Sequence, residues 1–126
     1  MNDDGAKNDH AYLLHILDCA NRVLSYTSSG QESFIANPMI QDAVMRNLEV
    51  IGEAVKHLSD ACRERNQSIP WKQIAGMRDV LIHHYFGVKL ETVWNVVESH
   101  LPGLRENISQ MLEETDSTEN CCDQSD

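Results

Sequence analysis

The chain has 126 residues and a formal net charge of −10, from 20 acidic and 10 basic side chains. This length allows one domain with a substantial core and is too short for two. Most of the acidity lies at the ends, since residues 113–126 hold six acidic and no basic residues, whereas residues 10–112 hold eleven acidic and nine basic ones. The charge therefore excludes a broad basic surface but allows a local basic cleft for nucleic acid.

The start of the chain is polar and acidic, and no apolar run approaches the roughly 18 residues of a membrane span, so we expect a cytoplasmic protein without a targeting signal or membrane contact. The four cysteines include no C-x-x-C pair. This spacing is typical neither of a disulfide framework nor of a zinc site. It favours buried thiols at Cys19 and Cys62 in a reducing compartment.

Apolar residues at helical spacing predict a first helix over about residues 9–26, ended by the turn-forming stretch TSSGQESF. A second helix is predicted from Pro38 to about Cys62, because apolar residues recur along it in alternating steps of four and three. Asn37 supplies an N-cap before a proline at the first helical position. We interpret one polar stripe of this helix as a solvated face of weak ion pairs; it consists of Arg46, Glu49, Glu53 and Lys56.

The rest of the chain is also helical in pattern. A short third helical segment is predicted to start at Trp71, with Gly76 as a point where it could be interrupted, and a further helical stretch is predicted from about Arg78 to Tyr85. A last helix is predicted over about residues 90–112, and Pro102 should kink it near Glu98 because proline removes one backbone hydrogen bond.

These elements predict an all-α bundle of four to five helices with a kinked last helix. We expect the helical domain to span residues 9–112. Residues 1–8 would be a flexible N-terminus, and residues 113–126, with Cys121 and Cys122, an acidic disordered tail.

The stretch GMRDVLIHHYFG, residues 76–87, places two of the six histidines side by side. Metal-binding histidines on a helix are expected three or four residues apart on one face, whereas His83 and His84 are about 100° apart, so we predict no metal here. One alternative is that one of the pair packs in the core and the other faces solvent. The other alternative is a catalytic group of Arg78, His83 and Tyr85.

Arg78, His83 and Tyr85 would suit phosphodiester cleavage without a metal. Histidine exchanges protons near neutral pH, and the arginine fork matches phosphate oxygens and the charge that grows on them. On a straight α-helix, however, positions 78 and 83 are about 140° apart, so one copy cannot easily aim both side chains at the same atom. Either Arg78 lies at a helix start in a non-ideal conformation, or two copies of the segment face each other in a symmetric dimer.

The segments RNLEVIGEAVKHL and IPWKQIAGMRDVLIHHYFGVKLETVWNVVESHLPGL resemble the HepT toxins, a branch of the HEPN superfamily. The R-x4-H-x-Y signature of that family is met by Arg78, His83 and Tyr85, with His84 in the variable place. The GEA of the second helix, the Trp-x-x-Ile before the arginine and the proline of the last helix support the resemblance. It spans about residues 9–112, and the acidic tail is no part of the family pattern.

The resemblance implies a HEPN-type helical homodimer whose cleft carries the catalytic Arg78 and His83 of both subunits. The implied activity is that of a metal-independent ribonuclease toxin without a cofactor, acting on RNA such as tRNA and not on DNA. The implied partner is an MNT-type nucleotidyltransferase antitoxin that uses ATP to transfer AMP to Tyr85. Asp79 is expected to orient Arg78, and His84 has no implied role.

Two other interpretations stay open from the sequence alone. The chain could be a non-catalytic helical module that binds a nucleotidyltransferase and presents a substrate to it, which would need no catalytic His83. It could also be a helical scaffold whose histidines are core residues.

Overall fold

The structure, a computed structural model, describes the backbone of residues 2–83 and 89–125 and the side chains of residues 8–81 and 89–114. All regular elements in these ranges are helical, so the predicted all-α bundle is confirmed. In chain order they are α1 (Asn2–Tyr26), α2 (Gln31–Ala36), α3 (Pro38–Lys56), α4 (Asp60–Arg65), α5 (Trp71–His83), α6 (Leu90–Asn95), a π-helical segment (Val96–His100) and α7 (Leu101–Ser125).

Helix α3 is the central element, because it packs against α1 on one side and α5 on another, while α7 packs against α1. Its predicted start is confirmed: the Asn37 side chain accepts hydrogen bonds from the backbone N–H groups of Met39 and Ile40, and Pro38 is the first helical residue. The core between these helices is apolar. Its largest fully buried side chains include Ile16, Phe34, Leu48, Ile51 and Ile108.

The predicted second helix is divided, and this corrects the prediction that it continues to Cys62. Helix α3 ends at Lys56, and Ser59 caps a separate helix α4 by accepting a hydrogen bond from the N–H of Cys62 at 3.2 Å. Buried Asp9 of α1 accepts hydrogen bonds from the backbone N–H and the hydroxyl of Ser59, at 2.7 and 2.6 Å. The break is therefore fixed by a residue 50 positions earlier, which a local pattern cannot reveal.

Two further details differ from the pattern-based prediction. The stretch predicted only as a turn includes the short helix α2, which buries Phe34. Helix α5 runs through Gly76 without interruption. Its start is anchored by Trp71, whose indole N–H lies within hydrogen-bonding distance of the carbonyl oxygens of Arg63 and Asn66.

The last predicted helix has an irregularity where Pro102 predicts one. The π-helical segment Val96–His100 lies between α6 and α7, and the N–H of Leu101 donates to the carbonyl oxygen of Val96, five residues earlier. Proline has no N–H to donate, so the carbonyl group four residues earlier loses its usual partner, and the π-helical turn lies at this position.

The helices reach beyond the predicted domain bounds, to Asn2 at one end and Ser125 at the other. The division into a flexible residue 1–8 segment, a domain at 9–112 and a disordered 113–126 tail stays a prediction. Cys19 and Cys62 are buried free thiols, as predicted, and burial raises the pKa of each. Among the described residues, none of the helices has the length and apolar character needed to cross a membrane.

The contact between α3 and α5 is unusually close at Gly52. A Cβ atom added to Gly52 would lie 2.5 Å from the Cβ of Arg78 and 3.2 Å from the carbonyl oxygen of Ile74. Any side chain at this position would therefore push α5 away from α3. The absence of a side chain at position 52 lets the backbone of Arg78 rest directly on α3.

We expect Gly52→Ala to lower the free energy of unfolding by about 1–3 kcal/mol, because its methyl group would separate α3 from α5. Gly76→Ala is the matched control, since an added Cβ at this exposed α5 position meets no atom within 4 Å. It should be neutral or stabilising by up to about 1 kcal/mol. Urea unfolding at one protein concentration measures both changes, and equal stabilities of the two variants would contradict the close-approach argument.

Candidate functional site

Arg78 lies in the middle of α5 and is held by carboxylates from two helices. Its Nε lies 2.6 Å from Oε2 of Glu53 on α3, and its Nη1 lies 3.1 Å from Oδ1 of the adjacent Asp79. The Arg78 side chain is 29% exposed, so it is partly screened by protein while still open to solvent. These contacts fix the guanidinium in one orientation at the surface of the α3–α5 pair.

Asp79 is held in turn by Lys56, whose Nζ lies 3.0 Å from the same Oδ1 atom that contacts Arg78. The hydrogen bond from Lys56, followed by the Lys56 charge and the contacts with Arg78, lowers the pKa of the Asp79 carboxyl below its ordinary value. The expectation that Asp79 orients Arg78 agrees with this geometry.

The polar stripe of α3 is therefore more than a solvated face, which corrects the interpretation from the sequence. The Arg46–Glu49 pair, at 3.6 Å within one helix, fits the original interpretation. Glu53 and Lys56, in contrast, reach across to α5 and bind Arg78 and Asp79. Helix periodicity places these residues on one face but cannot show that another helix lies beside that face.

The structure describes the side chain of only one member of the predicted catalytic group, Arg78. His83 is the last residue of α5, and its side chain lies outside the described residues, as does all of Tyr85. Helix α5 begins at Trp71, seven residues before Arg78, so the alternative that Arg78 sits at a helix start is wrong. Positions 78 and 83 belong to one continuous α-helix and are separated by about 140° around its axis.

Glu53 also contacts a histidine that sequence reasoning did not select. Its second oxygen, Oε1, lies 3.2 Å from Nε2 of His57, the residue that caps the C-terminus of α3. The His57 ring stacks on Tyr12 of α1, with centroids 5.1 Å apart and an angle of 13° between the planes. The sequence signal that could have identified Glu53 was the GEA segment, Gly52 to Ala54, because it combines the glycine that packs against Arg78 with the acid that binds Arg78.

A mostly apolar cavity lies elsewhere and has different chemistry. It has a volume of about 440 Å³ and lies between α3, α5 and the beginning of α7. Its lining is mostly apolar and includes no arginine, lysine or carboxylate, with His100 as its single titratable side chain. Among the side chains that the structure describes, no group of three metal-binding residues comes together. Metal independence of any reaction stays a prediction.

The source of the lowered pKa of Asp79 can be tested directly. Lys56→Met should raise this pKa toward its ordinary value, and by more than Arg78→Met does, because the Lys56 hydrogen bond is the largest cause. Carboxyl NMR titration of Asp79 in the two variants and the wild type measures the order. A larger change with Arg78→Met would contradict the assignment.

Residues 16–111, well over half of the chain, match the family model described as "Ribonuclease HepT-like". No solved structure matches the chain.

Relatives with related names align over most of the chain. A candidate RNase of Caldanaerobacter subterraneus is 40% identical over 108 residues, which cover 85% of this chain and 96% of that protein. A Thermococcus cleftensis protein provisionally named ribonuclease HepT is 42% identical over 59% of this chain and 67% of its own length.

A third relative is longer. A Methanocaldococcus jannaschii protein, named as a gamma-glutamylcyclotransferase and candidate RNase, is 44% identical over 115 residues. The matched region covers 90% of this chain but only about half (52%) of that protein. The all-α bundle, the R-x4-H-x-Y segment around Arg78 and the match over residues 16–111 agree with one another, and the chain belongs to the HepT-like ribonuclease family of the HEPN superfamily.

Proposed function

We propose that this protein is a ribonuclease toxin of a toxin–antitoxin pair and that it cleaves RNA without a metal, with Arg78 and His83 as its catalytic residues. The observation that carries the proposal is the held guanidinium of Arg78, which is bound by Glu53 and Asp79 at a partly exposed position. Membership of the HepT-like ribonuclease family supports the choice of RNA as the substrate.

The role of Arg78 follows from charge and geometry. Arginine has five N–H donors, and the contacts to Glu53 and Asp79 use two of them, so these contacts alone do not exhaust its capacity to bind phosphate. A guanidinium that is already oriented needs little rearrangement when negative charge grows on the phosphate oxygens in the transition state. Residues 10–112 hold eleven acidic and nine basic residues, which excludes a broad basic surface, so RNA binding would depend on a local site such as the one at Arg78.

The reaction that suits these groups is an internal transfer at phosphorus. The 2′-oxygen of the ribose attacks the adjacent phosphorus while His83 removes the 2′-hydroxyl proton. The bond from phosphorus to the 5′-oxygen breaks, and that oxygen takes up a proton from a second histidine or from water. The products are a 2′,3′-cyclic phosphate and a 5′-hydroxyl, and Arg78 stabilises the five-coordinate phosphorus species between them.

The angular separation of positions 78 and 83 favours a site shared by two subunits. Because these positions lie about 140° apart on one continuous helix, Arg78 of one copy and His83 of another can approach the same phosphate more easily than two groups of one copy. We therefore propose a symmetric homodimer with a composite cleft. Such a dimer also provides a second His83 for the leaving oxygen.

The proposed control of this activity is chemical modification at Tyr85. An MNT-type nucleotidyltransferase would use ATP to attach AMP to the tyrosine hydroxyl, two residues after His83. The added phosphate and adenosine would introduce negative charge and bulk next to the cleft, and both would oppose RNA binding. The toxin would work in the cytoplasm, with tRNA as one candidate substrate.

Arg78→Ala and His83→Ala should each lower RNA cleavage at least about 100-fold, since Arg78 would stabilise charge in the transition state and His83 would transfer a proton there. The assay uses unmodified protein, separated from its partner, on total RNA in the presence of EDTA. Arg22→Ala, a surface arginine paired with Asp18, and His100→Ala are matched controls that should cleave like the wild type. Circular dichroism checks that all variants are folded.

Two results would contradict the proposal. If folded Arg78→Ala and His83→Ala proteins cleave RNA and arrest growth like the wild type, the non-catalytic module is the better interpretation. If EDTA abolishes cleavage by the wild type, the reaction requires a metal.

Incubation with the nucleotidyltransferase and ATP should add the mass of one or more AMP groups to the wild-type chain and abolish its cleavage of RNA. Tyr85→Phe should gain no mass, because it lacks the acceptor hydroxyl, and Tyr26→Phe, at an exposed tyrosine of α1, should be modified normally. Intact-mass spectrometry measures the gain. An AMP group on Tyr85→Phe would move the modification to another residue.

A further inference from the structure

A second cavity, of about 300 Å³, opens beside Arg78 between α1 and α3. This volume is at the lower end of the range for small-molecule sites, about 300–1,000 Å³, and is suited to one flat ring system rather than a large ligand. The side chains important for its chemistry are Tyr12, His15, Arg46, Glu53, His57 and Arg78.

The stacked rings of Tyr12 and His57 form one part of this cavity. Tyr12 is partly buried against the core, and its ring stacks on the His57 ring with 5.1 Å between the centroids. The His57 side chain is 52% exposed, so the supported ring remains accessible from the cavity. Histidine and tyrosine rings are among the side chains on which unpaired RNA bases stack.

The cavity and the proposed cleavage position share one carboxylate. Oε1 of Glu53 lies 3.2 Å from Nε2 of His57 and Oε2 lies 2.6 Å from Nε of Arg78, so the ring and the guanidinium contact opposite oxygens of one carboxylate. Arg46 lies on the same wall with a largely exposed side chain, 3.6 Å from Glu49. The cavity thus combines an aromatic surface, a cation for a neighbouring phosphate and direct continuity with Arg78.

We propose that this cavity binds the base of the nucleotide next to the cleaved phosphate and that the His57 ring, supported by Tyr12, is its stacking surface. This inference rests on the proposed ribonuclease function and adds a determinant of where the RNA is cut. The ligand is an unpaired RNA nucleotide, because stacking needs a base that is not already stacked in a duplex. Arg46 contacts the phosphate on the far side of that base.

The first test compares cleavage sites in a randomised single-stranded RNA pool. Wild-type protein should show a base preference at one position beside the cut, and His57→Ala should weaken that preference and raise KM at least about fivefold, with a smaller change in kcat. His57→Phe keeps a stacking ring but cannot bind Glu53, and it should restore most of the preference. His100→Ala, in the other cavity, is the matched control and should leave preference and KM unchanged.

The second test does not depend on cleavage. Each of the four nucleoside monophosphates, and inorganic phosphate alone, is titrated into the His83→Ala protein while the ring signals of Tyr12, His57 and His100 are followed by NMR. Nucleotides should shift the Tyr12 and His57 signals, whereas phosphate alone should not, and His100 should respond to neither.

The two tests separate this inference from the ribonuclease proposal. If the wild type cleaves RNA but His57→Ala has the same base preference and KM, the inference is wrong and the ribonuclease proposal stands. If nucleotides shift the Tyr12 and His57 signals but the wild type cleaves no RNA, the ribonuclease proposal is wrong and the cavity remains a nucleotide site. Equal shifts with inorganic phosphate, or shifts with AMP alone, would overturn the assignment to an RNA base.

Discussion

The close approach of α5 to α3 at Gly52 is the constraint on which the candidate site depends. Because Gly52 has no side chain, the backbone of Arg78 lies in direct contact with α3. From there its guanidinium needs to extend only a short way to meet Glu53, one residue after that glycine. Gly52 therefore sets the packing of α5 against α3, and the adjacent Glu53 binds the Arg78 guanidinium. A side chain at Gly52 would alter both.

Glu53 connects the parts of the site that come from different helices. One oxygen holds Arg78 of α5, and the other holds His57, whose ring rests on Tyr12 of α1. All these groups are partly exposed, so each contact alone contributes little to the stability of the fold. Their importance is geometric, because a network of several partners limits the orientations of a long side chain more than one ion pair can.

Much of the fold could be predicted from the sequence, because helix periodicity and end signals are local. Asn37 and Pro38 start α3 as predicted, and Pro102 marks the irregular turn of the last helix. The break before Ser59 could not be predicted, since it depends on Asp9 of another helix. The site follows the same division: the motif identifies Arg78, whereas its bond to Glu53 exists only after α3 and α5 have packed together.

The hydrogen bonds from Ser59 to Asp9 give the beginning of α1 an influence on the site. Asp9 and Tyr12 are one helical turn apart on the same face of α1, and they hold the chain on both sides of Leu58: Tyr12 through the His57 ring and Asp9 through Ser59. An Asp9→Ala change would remove both hydrogen bonds from Ser59, two residues after His57, although Asp9 is not among the residues that line the cavity. Asp9 therefore acts on the segment that carries His57 through the neighbouring backbone and not through a contact of its own with the cavity.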